Sequence, residues 1–364
     1  MEKMKVYLQY PWKFPDSPYY KYLLQKVPEE IKYLNVDKQK GTITHQKFFW
    51  FSNFLKKNIR KYTRLLYPSM LNAHLSPSGG YDLIHCAHCL SKNQSEPWIA
   101  DFEAFWQLWV STKQTKRGLK KVKKVLERKN CKKILPWTQK VYDEFILNFP
   151  SLREKMEIVF PAVPLIVEKK KIGEKVNLIF VGRYFYQKGG FHALKAMEKL
   201  VERNKNVSAT IVSVIPEEIK KEYLGKERIK LYDLMPQDNV FDLYGKSDSS
   251  VYPGYSDSFG YAFLETMSFG IPTVTVDGDS RRELIEDGEN GIVIERPETL
   301  DWNKLGPREE KIIEEMIKRT EELIKNKKLR KKMSDKCIYE IREGKFSIQE
   351  RDRKMKRIYE EAFK

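Results

Sequence analysis

The sequence predicts an α/β protein built as two doubly wound, mostly parallel-sheet domains. Three observations carry that reading. The chain has 364 residues, and at about 150 residues per domain that suggests two. In the second half, short apolar runs alternate with segments of helical period, which is the signature of βαβ units. The first half repeats the alternation more loosely.

The second half is read first. Residues 176–181 (VNLIFV) form a continuous apolar run ending at Gly182, as a strand buried on both faces should. Phe191, Leu194, Met197, Leu200 and Val201 then recur at helical spacing within 191–205. Residues 207–215 read as a strand, 239–246 as a short helix, 249–252 as a strand, 260–269 as a helix and 272–276 as a strand. A helical turn at 281–286 and a strand at 291–295 close the series. In the first half, 5–10, 82–87, 98–101 and 133–135 are strand candidates. A proline-bearing stretch at 158–166 leads into a lysine-rich segment, and the boundary is set there. The expected organisation is an N-terminal domain over 1–167, a C-terminal domain over 168–340, and a last helix over 341–364 that packs back on the first domain.

Composition narrows the class. A 41% apolar and 13% aromatic content indicates a globular chain. No run approaches the roughly 18 apolar residues of a membrane span, and the N-terminus shows no apolar leader, so a cytoplasmic protein is expected. Four cysteines do not make a disulfide scaffold at this size. The net charge of +18 attracts polyanions, whether nucleic acid, an anionic membrane surface or phosphorylated substrates.

Two stretches carry chemistry. In the first, Gly182 ends a strand, Arg183 follows at once, Lys188 comes five residues later, and Gly189 and Gly190 open a helix. A guanidinium, an ammonium and a helix N-terminus at one strand end can cradle a diphosphate; a solvated turn in a lysine-rich protein fits the same residues. In the second, Asp257 precedes a helix start, Ser258, Phe259 and Gly260 form it, and Glu265 lies eight residues beyond the aspartate. One acid can hold sugar hydroxyls and the other a ribose diol; equally, Asp257 or Ser258 can cap the helix.

Together these stretches resemble the retaining GT-B glycosyltransferases of the GT4-like group (glycosyl transferases group 1). The similarity lies in Gly182-Arg183 through Lys188-Gly189, the Leu264-Glu265-Thr-Met267 run closing on Gly270 and Pro272, and the segment from Arg282 to Ile292 after Gly278. It extends to Phe346-Ser-Ile and to Ile358-Tyr-Glu-Glu-Ala, covering about 176–364 well and the first half in outline. It implies two Rossmann-like domains facing a cleft, with transfer of a hexosyl group from a nucleoside diphosphate sugar to a glycan or lipid-linked acceptor. It also implies that Arg183 and Lys188 bind the diphosphate, Asp257 the donor sugar and Glu265 the ribose. Gly182, Ser258, Phe259 and Gly260 would shape the donor loop and offer backbone N–H groups. No metal or other cofactor is expected, the nucleotide-sugar being a substrate.

The departures bear on catalysis. Asp257 replaces the more usual glutamate. Tyr10-Pro-Trp-Lys-Phe-Pro stands where relatives carry a Gly-Gly turn, and Trp98-Ile-Ala-Asp101-Phe-Glu103 stands where many carry a histidine. Asp101 and Glu103, after a strand, can hold an acceptor hydroxyl or balance an oxocarbenium-like charge; capping a helix near Phe105 fits them as well. His85-Cys86-Ala-His88-Cys89 is dense enough to suggest zinc, yet neighbouring strand residues point to opposite faces. His85 or His88 beside an acceptor is the preferred reading.

Two basic segments remain. Phe51, Leu55, Ile59, Tyr62 and Leu66 form one helical stripe, Lys56, Lys57, Arg60, Lys61 and Arg64 lie mostly opposite, and no acidic residue occurs from Lys47 to Arg64. Phe48, Phe49 and Trp50 precede it. The segment 113–133 holds eleven basic residues and one glutamate. Each fits a core-facing helix with a solvated basic face, or a helix lying on an anionic bilayer. The competing functional readings are a catalytically inactive scaffold of this fold, a phosphorylase or epimerase on it, and a basic nucleic-acid-binding protein. No nucleic-acid-binding signature accompanies the charge.

Overall fold

The computed structural model describes residues 3–10, 18–36, 46–301, 304 and 306–364, with backbone alone for 46–50 and 307. The Tyr10-to-Pro15 stretch beyond Tyr10 and the side chains of Phe48, Phe49 and Trp50 therefore lie outside the described residues. The chain divides into two compact units, one of residues 1–162 with 348–364 and one of 163–347.

The first unit carries strands β1 (Met4–Gln9), β2 (Ile31–Leu34), β3 (Ala73–His74), β4 (Leu83–Ala87), β5 (Leu90–Ser91), β6 (Trp98–Phe102) and β7 (Cys131–Pro136). Its helices are α1 (Pro18–Gln25), α2 (Gln46–Leu66), α3 (Lys116–Leu126) and α4 (Gln139–Asn148). The main sheet is all parallel, in the order β2-β1-β4-β6-β7, and β3 and β5 pair separately. Alternation along the strands divides the sheet's two faces. Ile84, Cys86, Trp98, Ala100 and Phe102 join one apolar core with Val122 and Leu126 of α3 and Phe145 of α4. His85 and Asp101, out of phase with those residues, look to the other face.

The second unit is a six-stranded parallel sheet in the order β10-β9-β8-β11-β12-β13. Its strands are β8 (Val176–Val181), β9 (Val207–Val212), β10 (Ile229–Tyr232), β11 (Ser249–Val251), β12 (Thr273–Val276) and β13 (Gly291–Ile294). Its helices are α5 (Gly190–Arg203), α6 (Glu217–Glu222), α7 (Gln237–Gly245), α8 (Tyr261–Ser268), α9 (Arg281–Leu284), α10 (Pro307–Lys325) and α11 (Lys327–Arg342). Leu178, Ile179 and Phe180 of β8 are fully buried, as a central parallel strand requires.

The last helix, α12 (Ile348–Phe363), belongs to the first unit. It covers the face of the sheet that presents His85 and Asp101. Arg351 donates to the carbonyls of Tyr22 (3.2 Å) and Lys26 (2.8 Å), meeting α1 at its C-terminal end, where carbonyls lack helical partners.

Candidate active site

Two clusters hold the residues singled out by sequence, one in each unit. The second-unit cluster forms at the carboxyl ends of β8 and β11, where ligands of parallel sheets bind. Gly182 leaves β8 by donating to the Val212 carbonyl at 3.0 Å. A Cβ there would stand 3.0 Å from the Phe180 ring and 3.2 Å from Lys188 Cβ and the Tyr252 ring, so a larger residue would have to push these side chains back by a few tenths of an ångström. Gly189 has φ +81°, and its Cβ would fall 2.6 Å from Pro253. The chain thus turns in a left-handed conformation against the second loop, which only glycine adopts without cost.

That turn brings Lys188 to Asp257. The ammonium pairs with one Asp257 oxygen and reaches the Ser256 carbonyl at 3.3 Å. The Tyr252 hydroxyl donates to the other Asp257 oxygen at 2.5 Å. Burial, and then the Asp257 charge, drive the Tyr252 hydroxyl pKa well above its usual value, so it remains a donor. Gly260 (φ +90°) is the N-terminal residue flanking α8, with no side-chain cap, and Gly189 flanks α5 in the same way. Neither Asp257 nor Ser258 caps α8, so the capping alternative does not hold. Phe259 is fully buried as a core anchor, leaving its backbone to the loop. Glu265 lies in α8, accepting from Gln237 Nε2 at 2.8 Å. Arg183 is half-buried beside Gly182.

Beneath the loop lies Arg281, which the sequence reading did not single out. It is buried, donates to the carbonyls of Gly254 (2.6 Å) and Val276 (3.3 Å), and sits 4.6 Å from the Phe263 ring. It braces the segment that carries Asp257.

The first-unit cluster centres on Asp101. The residue lies within β6 rather than after it, and it is 1% exposed. One oxygen takes His85 Nε2 at 2.9 Å; the other lies 3.2 Å from both the backbone nitrogen and ring Nδ1 of His88. Burial pushes the Asp101 carboxyl up, but the facing His88 and the His85 hydrogen bond outweigh it and hold the pKa below the usual range. His85 Nδ1 meets the Tyr359 hydroxyl at 2.8 Å, and that hydroxyl meets Tyr33 at 2.9 Å. A buried chain of polar groups thus runs from β2 through α12 and β4 to β6. Neither Asp101 nor Glu103 caps the short helix at 105–108; Gln107 Oε1 accepts from the Glu103 and Ala104 nitrogens instead. His88 has φ +56° and packs 4.8 Å from the Trp137 ring. The stretch that lacks the expected histidine therefore receives one in space from the end of β4. A recess of about 10 Å³, room for one water or hydroxyl, opens beside Asp101 between Tyr19, Trp137 and Arg351.

In His85-to-Cys89 the histidines serve Asp101, while Cys86 and Cys89 take contacts from Gln9 Nε2 at 3.5 and 3.7 Å. Burial raises the Cys86 thiol pKa well above its usual value, which leaves it unreactive.

Two doubly wound parallel units are the architecture of the GT-B fold. Solved structures match throughout: a glycosyltransferase from Rickettsia africae aligns over 100% of both chains (TM-score 0.63, 14% identity). Anabaena HepE in complex with UDP aligns over 98% of both (TM-score 0.59, 12% identity). The glycosyl transferases group 1 family matches residues 164–337, so the second unit carries that family's domain. An uncharacterized glycosyltransferase of Methanocaldococcus jannaschii is 24% identical over 77% of this chain and 69% of its own length. Across the first three curated relatives the matches span between 57% and 69% of their length.

Proposed function

We propose that the chain is a retaining hexosyltransferase that binds a nucleoside diphosphate sugar without a metal and passes the sugar to a glycan or lipid-linked acceptor. The observation that carries this reading is the meeting of Lys188 with one carboxylate, Asp257, beside two helix starts without side-chain caps, at the strand end that Arg183 follows. In this reading Lys188 exchanges part of its ion pair for the donor diphosphate, and Asp257, held by Tyr252, turns its freed oxygen to the sugar hydroxyls. The charge that grows on the departing diphosphate is met by Arg183, Lys188 and the N-termini of α5 and α8. Glu265 takes the ribose. Gly182, Ser258, Phe259 and Gly260 contribute backbone. Asp101, His88 and Glu103 serve the acceptor side, Asp101 through the hydroxyl-sized recess beside it. The protein acts in the cytoplasm, meeting lipid-linked acceptors at the inner membrane face. Because HepE was solved with UDP, uridine compounds head the donor panel.

The test is thermal stabilisation by a panel of nucleoside diphosphates and their sugars, with a chelator present and again with added magnesium. A ligand of the native state raises the melting temperature with the logarithm of its concentration over Kd. One diphosphate should give a clear shift that survives chelation and is lost in Arg183→Ala. A shift that needs magnesium would remove metal independence; no shift with any nucleotide would return the inactive scaffold.

A further inference from the structure

We propose that the exposed face of α2, with the segment that follows it, is a docking surface for an anionic lipid bilayer. Soluble chains scatter their exposed apolar residues; this one gathers them. Among the described residues sixteen large apolar side chains are exposed, and nine of these fall between Phe51 and Leu75. Phe51 is 63% exposed, Phe54 66%, Tyr62 62%, Leu65 78% and Leu66 63%. No described residue from 51 to 70 is buried. A helix with this stripe normally turns it inward. Here the stripe points to solvent.

Helical geometry orders the charges around it. At about 100° per residue, Phe51, Phe54, Leu55, Tyr62, Leu65 and Leu66 fill one continuous arc. Lys57 and Lys61 border that arc, and Arg60 and Arg64 lie behind them. No carboxylate occurs from Lys47 to Arg64 to neutralise the row. Arg60 lies 5.5 Å from the ring of Trp106, itself 41% exposed, so another aromatic stands beside the row.

The basic field continues into α3. The Ser69 hydroxyl bonds that of Thr115 at 2.7 Å, tying the residues after α2 to the start of α3. That helix buries Val122, Val125 and Leu126 and exposes Lys116, Arg117, Lys120 and Lys121.

Charge and shape select the occupant. Nucleic acid would satisfy the cations but offers no apolar medium to Leu65 and Leu66. A second copy of the chain would set one +18 charge against another across a row of like-charged helices. A bilayer with anionic headgroups takes apolar side chains below the headgroups and the lysines among them. The proposal gives the lipid-linked acceptor of the preceding section a place to be met, but its test uses neither donor nor acceptor.

The full chain is sedimented with vesicles of phosphatidylcholine, or of phosphatidylcholine mixed with phosphatidylglycerol, at low and at high salt. The wild type should sediment with the mixed vesicles at low salt, less so at high salt, and weakly with phosphatidylcholine alone. Each basic residue near an anionic surface contributes about fivefold to partitioning. Lys57→Glu with Lys61→Glu should therefore lower it by about tenfold or more, and Phe54→Ser with Leu65→Ser should lower it even at low salt. Both pairs are exposed, so melting temperature and nucleotide stabilisation should match the wild type; that agreement separates lost docking from lost folding or a failed donor site. Absence of binding to the mixed vesicles overturns the proposal. So does binding that the Phe54 and Leu65 changes leave intact, since charge alone would then suffice. Self-association of the wild type that those changes abolish would assign the face to a second copy instead.

Discussion

Asp257 and Lys188 form an ion pair, and that sets what each substitution should do. Lys188→Ala removes an ammonium from the proposed diphosphate site and should lower kcat/KM by about a hundredfold, the scale of losing one preorganised donor to a growing charge. Asp257→Asn keeps the shape, frees Lys188 for phosphate, and weakens the hold on the sugar. Binding of the nucleoside diphosphate alone should survive or tighten while turnover falls. Calorimetric titration with the diphosphate beside steady-state kinetics separates the two effects. Gly189→Ala should cost at least about 2 kcal/mol by urea unfolding, because the left-handed backbone alone disfavours a Cβ by about 1–2 kcal/mol and Pro253 stands 2.6 Å from where that atom would be. Asp101 makes a pH prediction. Its native pKa is depressed, so the stability it contributes is complete above the unfolded carboxylate value of about 3.9 and is lost as pH falls through the lower native value. The melting-temperature gap between wild type and Asp101→Asn should be constant at neutral pH and close only below about pH 4.

Among elements, α12 shows how a late segment completes an early sheet. Its Tyr359 hydroxyl joins His85 to Tyr33, and its Arg351 meets the carbonyls at the end of α1. Tyr359→Phe leaves a buried imidazole nitrogen and a buried phenol short of partners and should cost about 1–3 kcal/mol in denaturant unfolding. Restored stability in a double variant with Tyr33→Phe would show that the penalty comes from the orphaned groups. Helices α2 and α3 make the opposite comparison. Both are basic and amphipathic in sequence, yet α3 buries its apolar face against the β4–β6 core while α2 leaves its own outside. Periodicity reports that a helix has an apolar stripe; it carries no information on what covers the stripe.

For the molecule as a whole, the charge of +18 is the dominant long-range property. A field of that sign concentrates anionic ligands near the surface, and salt screens it over about 10 Å at 0.1 M. Association of the proposed diphosphate donor should therefore slow by about tenfold or more from low to high ionic strength, with a weaker effect on dissociation. Stopped-flow binding across a salt series checks this; a flat association rate would confine the charge's role to surfaces away from the donor site.

Local pattern alone marks the alternation of strands and helices, the Gly182-to-Gly190 and Pro253-to-Gly260 turns, and the resemblance of the second half to the glycosyl transferases group 1 domain. These are local properties. A parallel strand must be apolar along its length, and a left-handed turn packed against another loop admits only glycine. Tertiary structure decided the partners. Asp101, read as following a strand or capping a helix, lies inside β6, and its companions come from His85, His88 and Tyr359, as much as 258 residues away in sequence (359 minus 101). Tyr252 and Arg281 support the Asp257 loop without any local pattern to mark them. The exposed face of α2 was one of two readings open to the sequence. Burial is a relation between elements, and only the assembled chain shows that nothing among its described residues covers that face.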